Sequence, residues 1–305
     1  MRVASLASGS GGNALLVEAA GERLLVDCGL PPRELARRLA LTGRRPADLT
    51  GLVLTHEHGD HVRGAADVAL ALGVPVYGTA GTLRQVVAQI ARPGRAAADG
   101  RWSPPVTTGR ERARLASLAR PVAAGEPVRA GGVTLHPVAL PHDAVEPVAC
   151  VLDAEGVRVA IATDLGRPTA AVVSALAGAD LLVLEFNHDT AMLAAGPYHP
   201  SVKRRVAGDR GHLSNAQAAE ILAAVAHPRL GAVWLAHVSQ VNNTPALALE
   251  AARGALRRRL PFEAVPVACL EQDGVREWSP ADAGRGSMSE AAAEAGREPL
   301  WEAAP

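Results

Sequence analysis

The sequence predicts an α/β fold in which two mixed sheets are covered by outer helices. Three observations carry this. Apolar runs of strand length recur along most of the chain, segments with apolar residues at helical spacing alternate with them, and 48% of the 305 residues are hydrophobic, enough for a sizeable core. Aromatic residues make up only 3%, so Ala, Val and Leu must fill that core.

Taken in order, Val3–Leu6, Ala14–Glu18 and Arg23–Asp27 read as strands, separated by "SGSGGN" and "AAG", breakers suited to tight antiparallel turns. Pro32–Leu41 has helical spacing with Arg33, Arg37 and Arg38 outward. Gly51–Thr55 is a short buried strand, His61–Leu72 the helix after it and Val74–Tyr77 the next strand. Residues 92–125 are rich in Arg, Pro and Gly and read as a solvated surface excursion with one helix near Arg110–Leu118. Strands resume at Val133–Val138, Val148–Leu152, Val157–Thr163 and Leu181–Phe186, with later ones at Val233–Ala236 and Ala264–Cys269. Helices are expected at Thr169–Ala177, Ser214–Ala226 and Pro245–Leu256. The reading is one domain over residues 1–278 and a disordered Ala/Glu/Gly-rich tail over 279–305.

The formal net charge is zero, and Lys203 is the sole lysine. In the tail Asp282, Glu290, Glu294, Glu298 and Glu302 outweigh Arg285 and Arg297, which leaves the rest mildly basic. No apolar stretch approaches the ~20 residues of a membrane span, and the N-terminus has no signal-peptide core. Cys28, Cys150 and Cys269 lie far apart in apolar stretches and read as reduced buried thiols, which suits a cytoplasmic protein.

The chemistry begins at "LTHEHGDH", where His56, His58, Asp60 and His61 crowd behind an apolar run. Such groups repel when charged and compete for the same donors when neutral; a divalent metal resolves the conflict. Further ligands should follow apolar runs in the same way. Searching for His or Asp directly after such a run finds Asp27, His142, Asp164 and His237. For any one of them alone the plainer explanation is the stronger, since an Asp after a strand is often just a turn residue or helix cap.

These residues together resemble the metallo-β-lactamase fold superfamily, whose His-x-His-x-Asp-His motif is matched by His56, His58, Asp60 and His61. The stretches "SLASGSGGNALLV", "PHDAVEPVACVL", "LEFNHDTAML", "GDRGHLSNAQAAEIL" and "LAHVSQVNN" resemble the YycJ/WalJ group, described as DNA exonucleases or as general hydrolases of this fold. The resemblance spans roughly residues 1–275 and implies a four-layer αββα sandwich. It also implies two divalent ions, Zn or Mn: His56, His58 and His142 would hold one, Asp60, His61 and His237 the other, with Asp164 bridging and Asp27 orienting ligands from behind. Two such ions about 3.5–4 Å apart lower the pKa of a shared water, and the hydroxide is the nucleophile.

Asp60 and His212 are the expected catalytic residues. "GHLSNAQAAEIL…LAHVS" is similar to an arrangement in tRNA 3′-processing endonucleases of this fold, where the His before the helix sits beside the scissile phosphate; His212 is therefore the candidate acid for the leaving group. The alternative is that it only packs and caps the loop ahead of Ser214. His188, and Lys203 with Arg204 and Arg205, are candidate substrate contacts; alternatively Asn187–Asp189 brace the metal loop, and a charge run is also an ordinary solvated face. Glu57 reads as a residue that supports the ligands from behind or as structural, and the "SGSGGN" stretch as a hairpin turn rather than a phosphate cradle. The expected function is a dinuclear phosphodiesterase acting on nucleic acid, a DNA exonuclease, with no membrane partner. An acyl hydrolase of the thioesterase or lactonase kind, or a non-catalytic metal-binding protein, is the alternative.

Overall fold

The computed structural model describes residues 1–89, 95–96, 102–103, 109–260 and 264–282. Its first half runs β1 (Arg2–Ala7), β2 (Ala14–Ala19), β3 (Glu22–Val26), α1 (Pro32–Leu41), β4 (Gly51–Val53), α2 (Gly59–Val62), α3 (Ala65–Leu72), β5 (Val76–Thr79), α4 (Ala80–Ala88), the short pair β6 (Arg95–Ala96) and β7 (Trp102–Ser103), α5 (Gly109–Leu118) and β8 (Ala119–Val122). The second half runs β9 (Val128–Ala130), β10 (Val133–Ala139), β11 (Val148–Ala154), β12 (Val157–Ala162), α6 (Ala170–Leu176), β13 (Leu181–Glu185), α7 (Thr190–Ala195), α8 (Pro200–Val206), α9 (Asn215–Val225), β14 (Ala232–Ala236), α10 (Pro245–Arg259), β15 (Val267–Cys269) and β16 (Arg276–Trp278).

Two seven-stranded sheets result, ordered β16-β1-β2-β3-β4-β5-β8 and β15-β14-β13-β12-β11-β10-β9. Period-2 alternation explains the layering. In β12, Val159 and Ile161 join the core between the sheets while Ala160 and Ala162 face the outer helices; β2, β3, β13 and β14 divide in the same way. Both faces of these strands are therefore apolar, which is why they read as continuous apolar runs. Helices α6, α9 and α10 cover one sheet and α1, α3, α4 and α5 the other, giving the expected αββα sandwich.

Hairpins join β2 to β3 and β11 to β12 through Ala20-Gly21 and Glu155-Gly156, all with positive φ, as a two-residue turn matched to strand twist requires. The β3–β4–β5–β8 and β12–β13–β14–β15 pairings are parallel, with the helices as crossovers. In such sheets the carboxyl ends of the strands gather at one edge, the usual place for a ligand.

The expected helix over His61–Leu72 is broken into α2 and α3. A Cβ on Gly64 would lie 2.2 Å from the Leu30 carbonyl oxygen, so the chain packs there too closely for a side chain. Helices α4, α7 and α8 and strands β9 and β16 were not anticipated from the sequence. The stretch 92–125 is not a solvated excursion throughout: α5 buries Leu115, and β8 pairs with β5 and buries Val122. Its segments 92–94, 97–101 and 104–108 lie outside the described residues, as do 283–305 of the expected tail. No described helix is long and apolar enough to cross a membrane. Cys28 and Cys150 are buried free thiols and Cys269 is half-buried; burial pushes the Cys28 thiol up to about 12, which keeps it protonated and inert.

Gly29 follows β3 in the loop that meets the metal motif. A Cβ there would fall 1.7 Å from the Asp60 carbonyl oxygen, a backbone atom that cannot swing aside. Gly29→Ala is therefore expected to destabilise the protein by roughly 1–3 kcal/mol, as overpacking does. Urea denaturation of the two proteins measures this, and equal midpoints would contradict it.

Candidate metal centre

The site lies along the carboxyl ends of the central strands. Asp27 follows β3, Thr55–His58 extend β4, Asp164 follows β12, Glu185 ends β13 and His237 follows β14. Asp27 (φ 59°), Asp164 (φ 59°) and His237 (φ 51°) adopt left-handed backbone conformations that cost a side-chain-bearing residue of order 1–3 kcal/mol each. Their side chains must repay this. His56 and His58 sit two apart on extended chain and share a face, while Asp60 and His61 occupy the single turn of α2.

Two trios converge. The ligand atoms of His56, His58 and His142 lie within 4.8 Å of one another, as do those of Asp60, His61 and His237. His58 Nδ1 and His142 Nε2 are 3.4 Å apart, and Asp60 Oδ2 is 3.5 Å from His61 Nε2 and 3.6 Å from His237 Nε2. Asp164 lies between them, in one cluster with His56 and His61 and in another with His237, Glu185 and His212. All seven side chains expected as ligands are thus brought together.

Partners fix which ring nitrogen faces inward. His61 Nδ1 is 2.7 Å from Asp27 Oδ2, and Asp27 in turn accepts from the Thr55 amide and hydroxyl. His142 Nδ1 lies 3.0 Å from the Gly211 carbonyl, His56 Nδ1 3.0 Å from Thr55 Oγ1, and His237 Nδ1 3.1 Å from Glu185 Oε1. Each arrangement leaves Nε2 pointing to the centre, the hallmark of a supported metal ligand. Among the described residues His56 Nε2 and His237 Nε2 are buried without a hydrogen-bond partner, and buried Asp164 Oδ2 meets only His61 Nε2, at 3.1 Å. Such atoms are costly to bury unless something binds them. The donors are imidazole and carboxylate with no thiolate, a set that fits a divalent metal such as Zn or Mn.

Electrostatics point the same way. Burial by itself pushes His61 towards the neutral form, but Asp164 and Asp27 outweigh it and pull its pKa well above the usual range. Burial likewise opposes a charge on His237, yet Asp164, Asp60 and Glu185 raise it to about 10. Burial and the neighbouring His61 push His56 well below its ordinary value. The carboxylates therefore favour positive charge among the imidazoles, which a cation would supply in place of protons.

His212 borders this centre, 18% exposed, with Nδ1 3.6 Å from Asp164 Oδ1 and 2.8 Å from Glu185 Oε1. Ser214 caps α9 directly behind it, in a capping box with Gln217. Glu185 is fully buried; besides His212 and His237, it accepts from the Leu165 and Leu213 amides at 3.0 Å each. Burial would raise its pKa, but the charge of His212 and the side-chain hydrogen bonds of His212 and His237 bring it down to about 2. Sequence reasoning missed Glu185, although it closes "LLVLE" just as the found residues close their runs; the search admitted only His and Asp.

The expected substrate contacts diverge. Lys203 Nζ turns back to the Ala194 carbonyl at 2.6 Å, Arg204 is exposed, and Arg205 Nε reaches Asp143 Oδ2 at 2.7 Å. Asp143 Oδ1 lies 3.3 Å from His142 Nε2, so Arg205 alone of the three stands at the site's edge. Arg210, not anticipated, joins it there, its Nε donating to the His142 carbonyl at 3.1 Å. His188 is buried, with an unpartnered Nδ1 and a main-chain bond to Asn215. Glu57 Oε1 accepts from the Val145 amide, a structural role as expected. The "SGSGGN" turn spends the amides of Gly9, Gly11, Gly12 and Asn13 on protein acceptors, which makes it a turn and not an anion cradle.

Residues 22–238 match the family described as the beta-lactamase superfamily domain. The exodeoxyribonuclease YycJ of Bacillus anthracis is 30% identical over 80% of this chain and 84% of its own length. The exodeoxyribonuclease WalJ of Streptococcus pneumoniae strain D39 is 29% identical over 80% of this chain and 83% of its own. The Zn(2+)-bound crystal structure of PqqB from Methylobacterium extorquens superposes with a TM-score of 0.61 at 17% identity, covering 90% of this chain and 99% of the other.

Proposed function

Since the chain belongs to the beta-lactamase superfamily and is a metal-dependent hydrolase, we propose that it is a dinuclear phosphodiesterase that degrades DNA as an exonuclease. The observation that carries this reading is the convergence of two ligand trios around Asp164, with His212 held at their edge by Glu185. The exodeoxyribonuclease relatives support nucleic acid as the substrate.

In this reading His56, His58 and His142 would hold one divalent ion and Asp60, His61 and His237 the other, with Asp164 between the two trios. Bound there, Zn or Mn ions would generate hydroxide from water at neutral pH and offset the charge of a phosphate oxygen. The protein's own residues do the rest. Asp27, Thr55, Gly211 and Glu185 orient the imidazoles. His212 Nδ1 is committed to Glu185, which leaves Nε2 to hold the proton that an alkoxide leaving group needs. Arg205 and Arg210 flank the centre and suit the phosphates next to the scissile one.

The test is a labelled duplex and bis-p-nitrophenyl phosphate assayed beside a panel of thioesters and lactones, with protein prepared in Zn and in Mn. Turnover of the phosphodiesters is expected; turnover of the acyl panel alone would reverse the assignment. Changing Arg205 and Arg210 together to Met is expected to weaken DNA binding and to flatten its salt dependence, by about 0.7–0.9 in log–log slope per lost phosphate contact. Lys203→Met, at a side chain already turned to Ala194, should change the slope less. An unaltered slope in the double variant would reduce these arginines to a solvated rim.

A further inference from the structure

The turn between β1 and β2, residues 8–13, is joined to one metal trio and not to the other. The Asn13 amide donates to the Asp60 carbonyl at 2.7 Å, and Asn13 Nδ2 lies 3.0 Å from His61 Nε2 and 3.4 Å from Asp60 Oδ2. Ser8 Oγ accepts from the amide of His237 at 2.8 Å, at the residue whose backbone is left-handed. Asp60 and His237 are thus held by this turn through their backbone and, for Asp60, its carboxylate, while the Asn13 contact at His61 Nε2 would give way to an ion. Among the described residues no hydrogen bond from the turn reaches His56, His58 or His142, which are supported instead by Thr55, Asp143 and Gly211.

The turn is closed by the Gly9 amide on Asn13 Oδ1 and the Gly12 amide on the Gly9 carbonyl, and it is fastened from outside as well. Gly11 N donates to Gln272 Oε1 at 2.7 Å, Gln272 Nε2 donates to the Gly12 carbonyl at 3.0 Å, and Ser8 N donates to the Glu271 carbonyl at 3.1 Å. Gln272 is held in turn by Arg38 of α1. The helical spacing predicts Arg38 outward, but its guanidinium is turned inward, 4% exposed, and donates to the carbonyls of Gln272 and Leu6, to Asp273 and to Glu34. Burying an arginine is costly, and this one is nevertheless spent on fastening the segment 271–273 over the turn.

We propose that Arg38 and Gln272 are positioning residues that set the affinity of the second metal site, so that the two sites are unequal and the second depends on the segment 271–273. This rests on the two-metal reading. Slack in the turn loosens the contacts that hold Asp60 and His237 together and leaves the first trio's supports in place.

Metal uptake by the full chain tests this, using Zn titration against a competing chelator with elemental analysis of the product. The parent should bind two ions. Gln272→Ala should lose affinity for one ion by about 10–100-fold, the usual cost of removing a ligand's supporting partner, while the other is held as in the parent. Gln272→Glu, which keeps the acceptor for Gly11 N but loses the donor to Gly12, should fall between them. Ser8→Ala, a small change that removes the acceptor for His237, should give the same selective loss and serves if the Gln272 variants do not fold. Activity of Gln272→Ala should recover at high metal concentration. Equal weakening of both ions, or of neither, would overturn the inference; a parent that takes up one ion would instead overturn the two-metal reading beneath it.

Discussion

His212→Ala is expected to keep the parent's metal content and to lose on the order of 10²–10⁴-fold in turnover of DNA, the contribution of a positioned general acid. The geometry separates the two effects. His212 Nδ1 is fastened to Glu185 at 2.8 Å, and its ring stands beside both trios without belonging to either. The loss should also depend on the leaving group. An alkoxide needs a proton as it departs, whereas p-nitrophenolate leaves readily without one, so bis-p-nitrophenyl phosphate should suffer a much smaller decrease. Glu185→Gln should share part of the defect, because it removes the charge that holds His212 and His237. Single-turnover rates on both substrates, with metal analysis of each variant, check this. A His212→Ala protein as fast as the parent on DNA would end the assignment.

Asp164→Ala is expected to lose metal and activity together. Its carboxylate lies 3.1 Å from His61 Nε2 and 3.4 Å from His237 Nδ1, and its neighbours include His56 of the first trio. Burial alone would raise its pKa, but the charges of His237 and His61 hold it well below the usual carboxylate range. Without it the imidazoles lose a central countercharge and, in the two-metal reading, the ions would lose a shared ligand. Metal retention should fall by at least the 10–100-fold seen for lesser supporting groups, and turnover should fall further. Elemental analysis after dialysis, alongside DNA hydrolysis, gives the result. Two ions retained in Asp164→Ala would show that Asp164 does not join the sites.

Much of this protein is legible in the order of its residues. Strands buried on both faces must be apolar throughout, so their runs stand out, and a polar residue that breaks off such a run marks the strand's end. That rule found Asp27, His142, Asp164 and His237 with no knowledge of their neighbours, and it would have found Glu185 had glutamate been admitted. Local spacing also announced the histidine motif. It failed at α4, α7 and α8, which are short and start from the capping side chains of Thr79, Asp189 and His199; α8 buries no side chain, so it has no apolar period to read.

Sequence by itself therefore determined the strands, the donor chemistry and the residues that end at the site. Only the tertiary structure decided that Glu185 joins His212 to His237, that Lys203 turns away while Arg205 and Arg210 stay, and that a glycine-rich turn braces one trio alone. The reason is that these contacts join residues far apart in the chain, across two sheets whose relative placement is set by the shared core between them. A hydrogen bond depends on distance and direction within a few tenths of an ångström, and a linear pattern of apolar and polar residues does not encode either.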